Sequence, residues 1–213
     1  MKDIIIVGAG SAGVEIYAGI LLNNKYEIER GREAKYNVIG FLDDNPNALQ
    51  KYPFVKLKVI DNIANWKSIG DERYVLGVTA PKIKEKLVNT MTEKGCVFET
   101  VISPYSMISD FVKVGKGCVI YGNISAGAQI GDYVTIMGTM IGGDSIIGDY
   151  STTLGLANIA NGKLGKRVYV GSHAVVLNVP VGDDAVVSVG SIVVSKVKAG
   201  TKVFGSPATR IDF

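Results

Sequence analysis

The sequence predicts two architectures in tandem: a small, doubly wound α/β sheet over residues 1–102 and an all-β parallel β-helix over residues 103–213. Three observations carry this. An apolar run at Ile4–Val7 leads into a glycine-rich turn and then into a helix-like segment. Strand-like and helix-like segments then alternate as far as Val101, the signature of a parallel sheet covered by helices. Beyond Pro104, aliphatic-Gly-polar triplets recur at Val114, Ile130, Ile147, Leu164 and Val181, with spacings of 16, 17, 17 and 17 residues. A fixed period of that length marks a stacked-coil solenoid, and a β-sandwich has no reason to keep it.

In the first half, Ile4–Val7 reads as a strand buried on both faces. Gly8-Ala9-Gly10-Ser11-Ala12-Gly13 follows, with a helix expected from Gly13 to Leu22 and a polar loop over residues 23–36. Val38–Leu42 is a second strand ending in Asp43-Asp44-Asn45-Pro46. A short edge strand is expected within Val55–Ile60, a short helix at Ala64–Lys67 and a core strand at Tyr74–Val78. Lys82–Lys94 should be helical, with Ile83, Leu87 and Met91 on one face. A last strand is expected at Val97–Val101.

In the second half, aliphatic residues step by five or six: Val114, Ile120, Ile124, Ile130, Ile136, Ile147, and onward to Val193. One such side chain in six points to the axis of a triangular prism, whose coils stack about 4.8 Å apart. The small residue that often follows, such as Gly115 or Gly131, is expected at a tight corner where glycine tolerates unusual backbone angles.

Composition narrows the function. A net charge of +3, with dispersed basic residues, gives no footprint for nucleic acid. Cys96 and Cys118 have no metal-ligand spacing around them and read as inert thiols, so no metal is expected. The chain shows neither a signal peptide nor the ~20-residue apolar stretch that membrane insertion needs, so a cytoplasmic location is expected.

The Gly8, Gly10, Gly13 pattern sits after a strand and opens a helix, where glycines let the backbone approach a phosphate and the helix N-terminus supplies N–H donors. Gly8, Gly10, Ser11 and Gly13 are therefore candidate nucleotide-binding residues. Asp43 and Asp44 end the second strand and could accept hydrogen bonds from a ribose or base. With about four strands the domain suits one nucleotide better than two, although the glycine motif alone would also fit an NAD-binding enzyme.

Taken together, GAGSAG, then FLDDN, then the closing GSPATRI resemble the sugar O/N-acyltransferases of the sialic acid O-acetyltransferase (NeuD) and bacillosamine-type (PglD) kind. The resemblance covers essentially the whole chain. It implies a Rossmann-like N-terminal domain that binds a nucleotide-linked sugar, and a left-handed hexapeptide-repeat β-helix that forms a homotrimer. It also implies acetyl-CoA as acyl donor, bound between neighbouring prisms, and a place in cell-surface glycan biosynthesis. By this resemblance Gly155, Gly171 and Gly190 line the CoA groove, Lys166 meets its phosphates and His173 lies beside it.

One departure matters. The family places a catalytic histidine, followed by an acidic residue, just ahead of the third aliphatic-Gly corner. Here that pair reads Gly143-Asp144, and Ala12 replaces a second family histidine in the glycine loop. The chain's single histidine is His173. Asp144 and His173 are thus the candidate catalytic residues. The alternative is a catalytically silent relative that binds the nucleotide sugar and acyl-CoA without turnover.

Overall fold

The computed structural model describes residues 1–211 and divides into two compact units: residues 1–79 with 83–104, and residues 80–82 with 105 onward. The divide falls at Pro104/Tyr105, two residues past the boundary expected from the sequence, and Ala80–Lys82 go with the second unit.

The first unit is a five-stranded parallel sheet: β1 (Lys2–Val7), β2 (Tyr36–Leu42), β3 (Val59–Asp61), β4 (Arg73–Leu76) and β5 (Val97–Phe98), in the order β3-β2-β1-β4-β5. Helix α1 (Ser11–Ile28) links β1 to β2, and α2 (Pro81–Glu93) links β4 to β5. The order reverses between β1 and β4, the switch point at which ligands bind beyond the strand ends in such sheets. Ile4, Ile5, Ile6 and Val7 are fully buried, as their unbroken apolar run requires.

Three local expectations are corrected. Helix α1 runs six residues past Leu22, because tertiary contacts overrule the polar Asn23-Asn24. The Asn24 side-chain amide donates to the Tyr36 carbonyl at 2.6 Å and accepts the Tyr36 N–H at 3.0 Å, anchoring the helix to the start of β2. Ala64–Lys67 is a turn, not a helix. Asn62 Oδ1 accepts the Asn65 N–H at 2.7 Å and the Asn62 carbonyl accepts the Trp66 N–H at 3.2 Å, so a single capped turn forms and is not continued into a helix. The buried stripe of α2 is Lys84, Val88 and Met91, while Ile83 is half exposed; the 3.6-residue period is right but its phase is off by one.

The second unit is a left-handed parallel β-helix. One row of strands stacks Lys113–Val114, Gln129–Ile130, Ile146–Ile147, Lys163–Leu164 and Pro180–Val181. A second row begins with the first residues of Val119–Ile124 and Thr135–Ile141, and continues through Thr152–Thr153, Tyr169–Val170, Val186–Val187 and Lys202–Gly205. The third stacks the last residues of those two long strands on Asn158–Ala160, Val175–Leu177 and Ile192–Val193. Axis residues Ile120, Ile136, Thr153, Val170 and Val187 are fully buried. Lys202–Gly205 folds back on Ala208–Arg210, an antiparallel pair that ends the stack.

The corner glycines play a different role from the one expected. Gly115 and Gly131 do not adopt left-handed angles. They are glycines because a Cβ at Gly115 would lie 2.5 Å from the Gly131 carbonyl oxygen of the next coil, and one at Gly131 would lie 2.8 Å from the Asp149 nitrogen. The left-handed residue comes two positions later and is mostly not glycine: Tyr133, Tyr150, Arg167 and Asp184 on one edge of the prism. Leu156 and His173 hold this position on the second edge, and Asp144, Asn161 and Asn178 on the third.

Candidate functional site

In the first unit the glycine turn is built by close approach. Gly8 has φ +104° and donates its N–H to the Leu42 carbonyl at 2.8 Å. A Cβ at Gly13 would collide with the Gly8 carbonyl oxygen, and one at Gly77 would sit 2.8 Å from the Gly13 Cα. Gly77, at the end of β4, completes this three-glycine contact. It is readable in the sequence only as a glycine ending a core strand.

Asp43 ties this turn to β2. Its Oδ2 accepts the Ala9 N–H at 2.7 Å and its Oδ1 accepts the Asn45 N–H at 2.9 Å. Its role is therefore first to hold the loop, with the second lone pair of each oxygen left for a ligand. Helix α1 starts beside it with Gly10 as N-cap, no side-chain cap and no acidic residue in its first turn. The first N–H groups of a helix lack internal partners and form an anion-binding end, and exposed Ser11 stands at that end.

A cavity of about 440 Å³ opens here, lined by Ala9, Gly10, Asp43, Asn45, Asn47, Ala48, Gln50 and Lys51. The last three sit on a 3₁₀ turn, Ala48–Lys51, which the sequence reading missed. Asp44 faces a separate pocket of about 230 Å³ shared with Val59, Ile60, Asp61 and Asn62, and accepts only a long 3.4 Å bond from the Ile63 N–H. So Gly10 and Asp43 share one cavity, Asp43 also borders the pocket that Asp44 lines, and Gly8 and Gly13 act beneath the cavity through packing.

In the second unit the candidates divide among the three edges. Gly155, Gly171, His173 and Gly190 stack along one edge: the His173 N–H donates to the Gly155 carbonyl at 3.0 Å, and the Gly190 N–H to the Ser172 carbonyl at 2.9 Å. His173 is exposed there. Lys166 is on another edge, where its Nζ meets Asp149 Oδ2 at 2.9 Å. The hydrogen bond to Asp149 raises the Lys166 pKa and fixes its charge in that pair. Beside it Arg167 holds Asp184 with two bonds of 2.9 Å. Lys166 and the three glycines thus lie on different edges of one prism.

Asp144 is exposed on the third edge, so Asp144 and His173 do not meet within one chain either. A Cβ at Gly143 would encounter only the Ala126 carbonyl oxygen, at 3.2 Å. Among the described residues, no three His, Cys, Asp or Glu side chains gather to hold a metal, and no helix is long and apolar enough to cross a membrane.

Comparison with known proteins agrees with this architecture. The family model of the PglD N-terminal domain matches residues 3–91. The acetyltransferase domain of PglB from Neisseria gonorrhoeae FA1090 is 19% identical with a TM-score of 0.80, over 99% of this chain and 100% of that one. It has also been solved in complex with acetyl coenzyme A. WeeI from Acinetobacter baumannii AYE is 23% identical with a TM-score of 0.78, over 99% and 100%. PerB from Caulobacter crescentus, solved with CoA and GDP-perosamine, is 19% identical with a TM-score of 0.70, over 100% and 98%. No curated protein matches the chain by sequence. Residues 3–91 thus resemble the PglD N-terminal domain, and the chain from end to end has the fold of these solved structures.

Proposed function

We propose that the protein transfers an acyl group, acetyl in the first instance, from acyl-CoA to an amino or hydroxyl group of a nucleotide-linked sugar, as a step in building a surface glycan. The observation that carries the reading is the pairing of two features in one chain. An uncapped helix end stands beside a polar cavity with Lys51 at its rim. A β-helix edge carries Gly155, where a Cβ would meet nothing within 4 Å. The first suits a nucleotide phosphate, and the second leaves backbone bare to a thin ligand such as the pantetheine arm of CoA. The solved relatives with acetyl coenzyme A, and with CoA and GDP-perosamine, support the same pair of ligands.

In this reading the chain works in the cytoplasm as a homotrimer, and the CoA-lining edge of one copy faces a neighbouring prism. Gly10, Ser11, Asp43 and Asp44 serve the nucleotide, Gly155, Gly171 and Gly190 the CoA arm. Asp144 and His173, on separate edges of one chain, would meet only between copies. General-base help is worth ~10²–10⁴-fold in such reactions, so the glycine at 143 raises one specific rival: a protein that binds both ligands without turnover.

The test is acetyl-CoA-dependent thiol release by the purified protein over a panel of nucleotide-linked amino and deoxy sugars. Release above the uncatalysed rate is expected. Binding of a nucleotide sugar with no release, in wild type and in well-folded Gly143→His alike, would overturn transfer in favour of the silent binder. A melting shift with NAD or NADP alone would point to the dinucleotide alternative.

A further inference from the structure

The β-helix ends on a different surface from the one it carries along its length. Its middle coils mix both signs of charge on one edge, as at Asp132, Asp149, Lys166 and Asp183. From Ala185 to Ile211 no acidic residue occurs, while Lys196, Lys198, Lys202 and Arg210 do. All four lie in the last coil and its closing hairpin, and all four are exposed. Lys196 precedes Val197, which bridges to Val181; Lys202 opens the strand stacked on Val186; Arg210 ends the antiparallel strand beside it. The carboxylates one coil back are engaged within the fold. Asp183 Oδ1 accepts the Lys166 N–H at 2.9 Å, and Asp184 accepts two bonds of 2.9 Å from Arg167. The side chains of Lys196 and Lys198 have no ion-pair or hydrogen-bond partner among the described residues.

The same rim exposes apolar side chains: Val189 at 59%, Val194 at 49% and Phe204 at 50%. The last repeat of a solenoid is ordinarily polar on its outer side, because nothing further stacks on it. Lysines alone would guard the open edge left by Ile192–Val193 against pairing with another chain. That protection gives no reason for a half-exposed phenylalanine and two valines among them. Basic side chains interleaved with apolar ones match an anionic bilayer: the ammonium groups meet lipid phosphates while the apolar groups enter the headgroup boundary. A single-stranded nucleic acid would call for a basic groove with several aromatic platforms, and this rim carries one aromatic ring, Phe204.

We infer that this C-terminal rim of the β-helix, carried by Lys196, Lys198, Lys202, Arg210 and Phe204, docks the protein on an anionic lipid bilayer. The contact is peripheral and reversible. Each basic side chain near such a surface is worth about five-fold in partition, and salt screens it over about 8 Å at physiological ionic strength. One copy therefore binds weakly. In a homotrimer with rotational symmetry the three rims face the same side, and docking through all three at once multiplies the effect. The sequence conceals this surface because its lysines look dispersed; the coil closes them onto one rim that no acidic side chain of residues 185–211 interrupts.

The experiment is co-sedimentation of the full chain with vesicles of phosphatidylglycerol and phosphatidylethanolamine, set beside vesicles of phosphatidylcholine, at low and high salt. Wild type should partition onto the anionic vesicles alone and come off in high salt. The triple variant Lys196→Gln/Lys198→Gln/Lys202→Gln should lose about 10²-fold in partition per copy, with its melting temperature and its calorimetric affinity for acetyl-CoA unchanged. Phe204→Ser should weaken partition while keeping its salt dependence, because it removes the apolar part only. If the triple variant fails to fold, Lys196→Gln/Lys198→Gln takes its place and should lose about 25-fold. Absence of wild type from the anionic vesicles, equal partition onto phosphatidylcholine, or undiminished partition of the lysine variants would overturn the inference. So would a lysine variant with weakened acetyl-CoA affinity, which would assign these side chains to the phosphates of the donor, or binding of an oligonucleotide with none to vesicles. Each of these results leaves acyl transfer standing, since thiol release is measured without lipid.

Discussion

Asp43 Oδ2 accepts the Ala9 N–H at 2.7 Å, across 34 residues of sequence. One carboxylate at the end of β2 thereby fixes the glycine turn at the end of β1, and its other oxygen holds the Asn45 N–H. Asp44, one residue on, makes only a 3.4 Å bond to Ile63. The two neighbours should therefore behave differently. Asp43→Ala leaves part-buried N–H groups unpaired, costs roughly 1–3 kcal/mol of stability, and weakens nucleotide-sugar binding along with it. Asp44→Ala leaves the melting temperature nearly unchanged, so any loss of binding in that variant reports a direct ligand contact. Calorimetric titration with a nucleotide sugar, set beside thermal melts of each variant, separates the two. A stable Asp43→Ala would remove the case for a loop-holding role.

The first unit carries an acid-sensitive network. Burial pushes the Glu72 carboxyl up, but hydrogen bonds from the Tyr74 hydroxyl, the Ser68 hydroxyl and the Ile69 N–H outweigh it and hold the group at about 2. A carboxyl whose folded pKa lies below its unfolded value of about 4.3 contributes stability at pH values above the unfolded pKa. That contribution fades as pH falls toward 2. Trp66 Nε1 donates to the same Tyr74 hydroxyl at 2.8 Å and is the chain's single tryptophan, so its fluorescence reports on this network. Acid unfolding followed at Trp66 should steepen below pH ~4, and Glu72→Gln should flatten that limb and lower stability at neutral pH. An identical acid limb in the variant would show that Glu72 carries none of it.

Much of this was legible because it repeats. The 17-residue triplets and the six-residue ladder located the axis residues, and Ile120, Ile136, Val170, Val176 and Val187 are fully buried. The glycine turn and its aspartates were readable because strand, Gly-x-Gly-x-x-Gly and helix follow in the order the chemistry needs. What escaped had no local signal. The extension of α1 depends on Asn24 meeting Tyr36, twelve residues away. The 3₁₀ turn that brings Gln50 and Lys51 to the cavity lacks a periodic pattern. The division of Lys166, His173 and Asp144 among three edges follows from counting coils from the corner residues, not from the triplets alone.

Thr153 occupies an axis position, in register with Ile136 below and Val170 above, where the ladder otherwise places aliphatic side chains. Its Oγ1 is buried and has no hydrogen-bond partner. A buried hydroxyl without a partner carries a desolvation cost of roughly 1–3 kcal/mol. Valine matches its shape, so Thr153→Val should raise the stability of the β-helix by about 1 kcal/mol without changing activity. Thermal melts check it. A lower melting temperature would mean that the hydroxyl has a partner in solution, such as a buried water.

The two glycines nearest His173 give the sharpest separation of fold from function. A Cβ at Gly171 would lie 2.7 Å from the Val189 nitrogen of the next coil, so the stack itself demands glycine there. Gly155 differs: its φ lies outside the left-handed region and a Cβ would meet nothing within 4 Å. Nothing in its own chain requires glycine at that position. Gly171→Ala should therefore be destabilised by about 1–3 kcal/mol, as overpacked sites are. Gly155→Ala should fold with unchanged stability, or gain about 0.4–1 kcal/mol by stiffening the unfolded chain. If the edge it lies on carries the acyl-CoA, the same variant should raise KM for acetyl-CoA while kcat changes little, because the added methyl obstructs a binding surface and not the reacting atoms. A Gly155→Ala protein with wild-type KM for acetyl-CoA would take the donor off this edge, and a Gly155→Ala protein that unfolds would mean that a neighbouring copy packs against it.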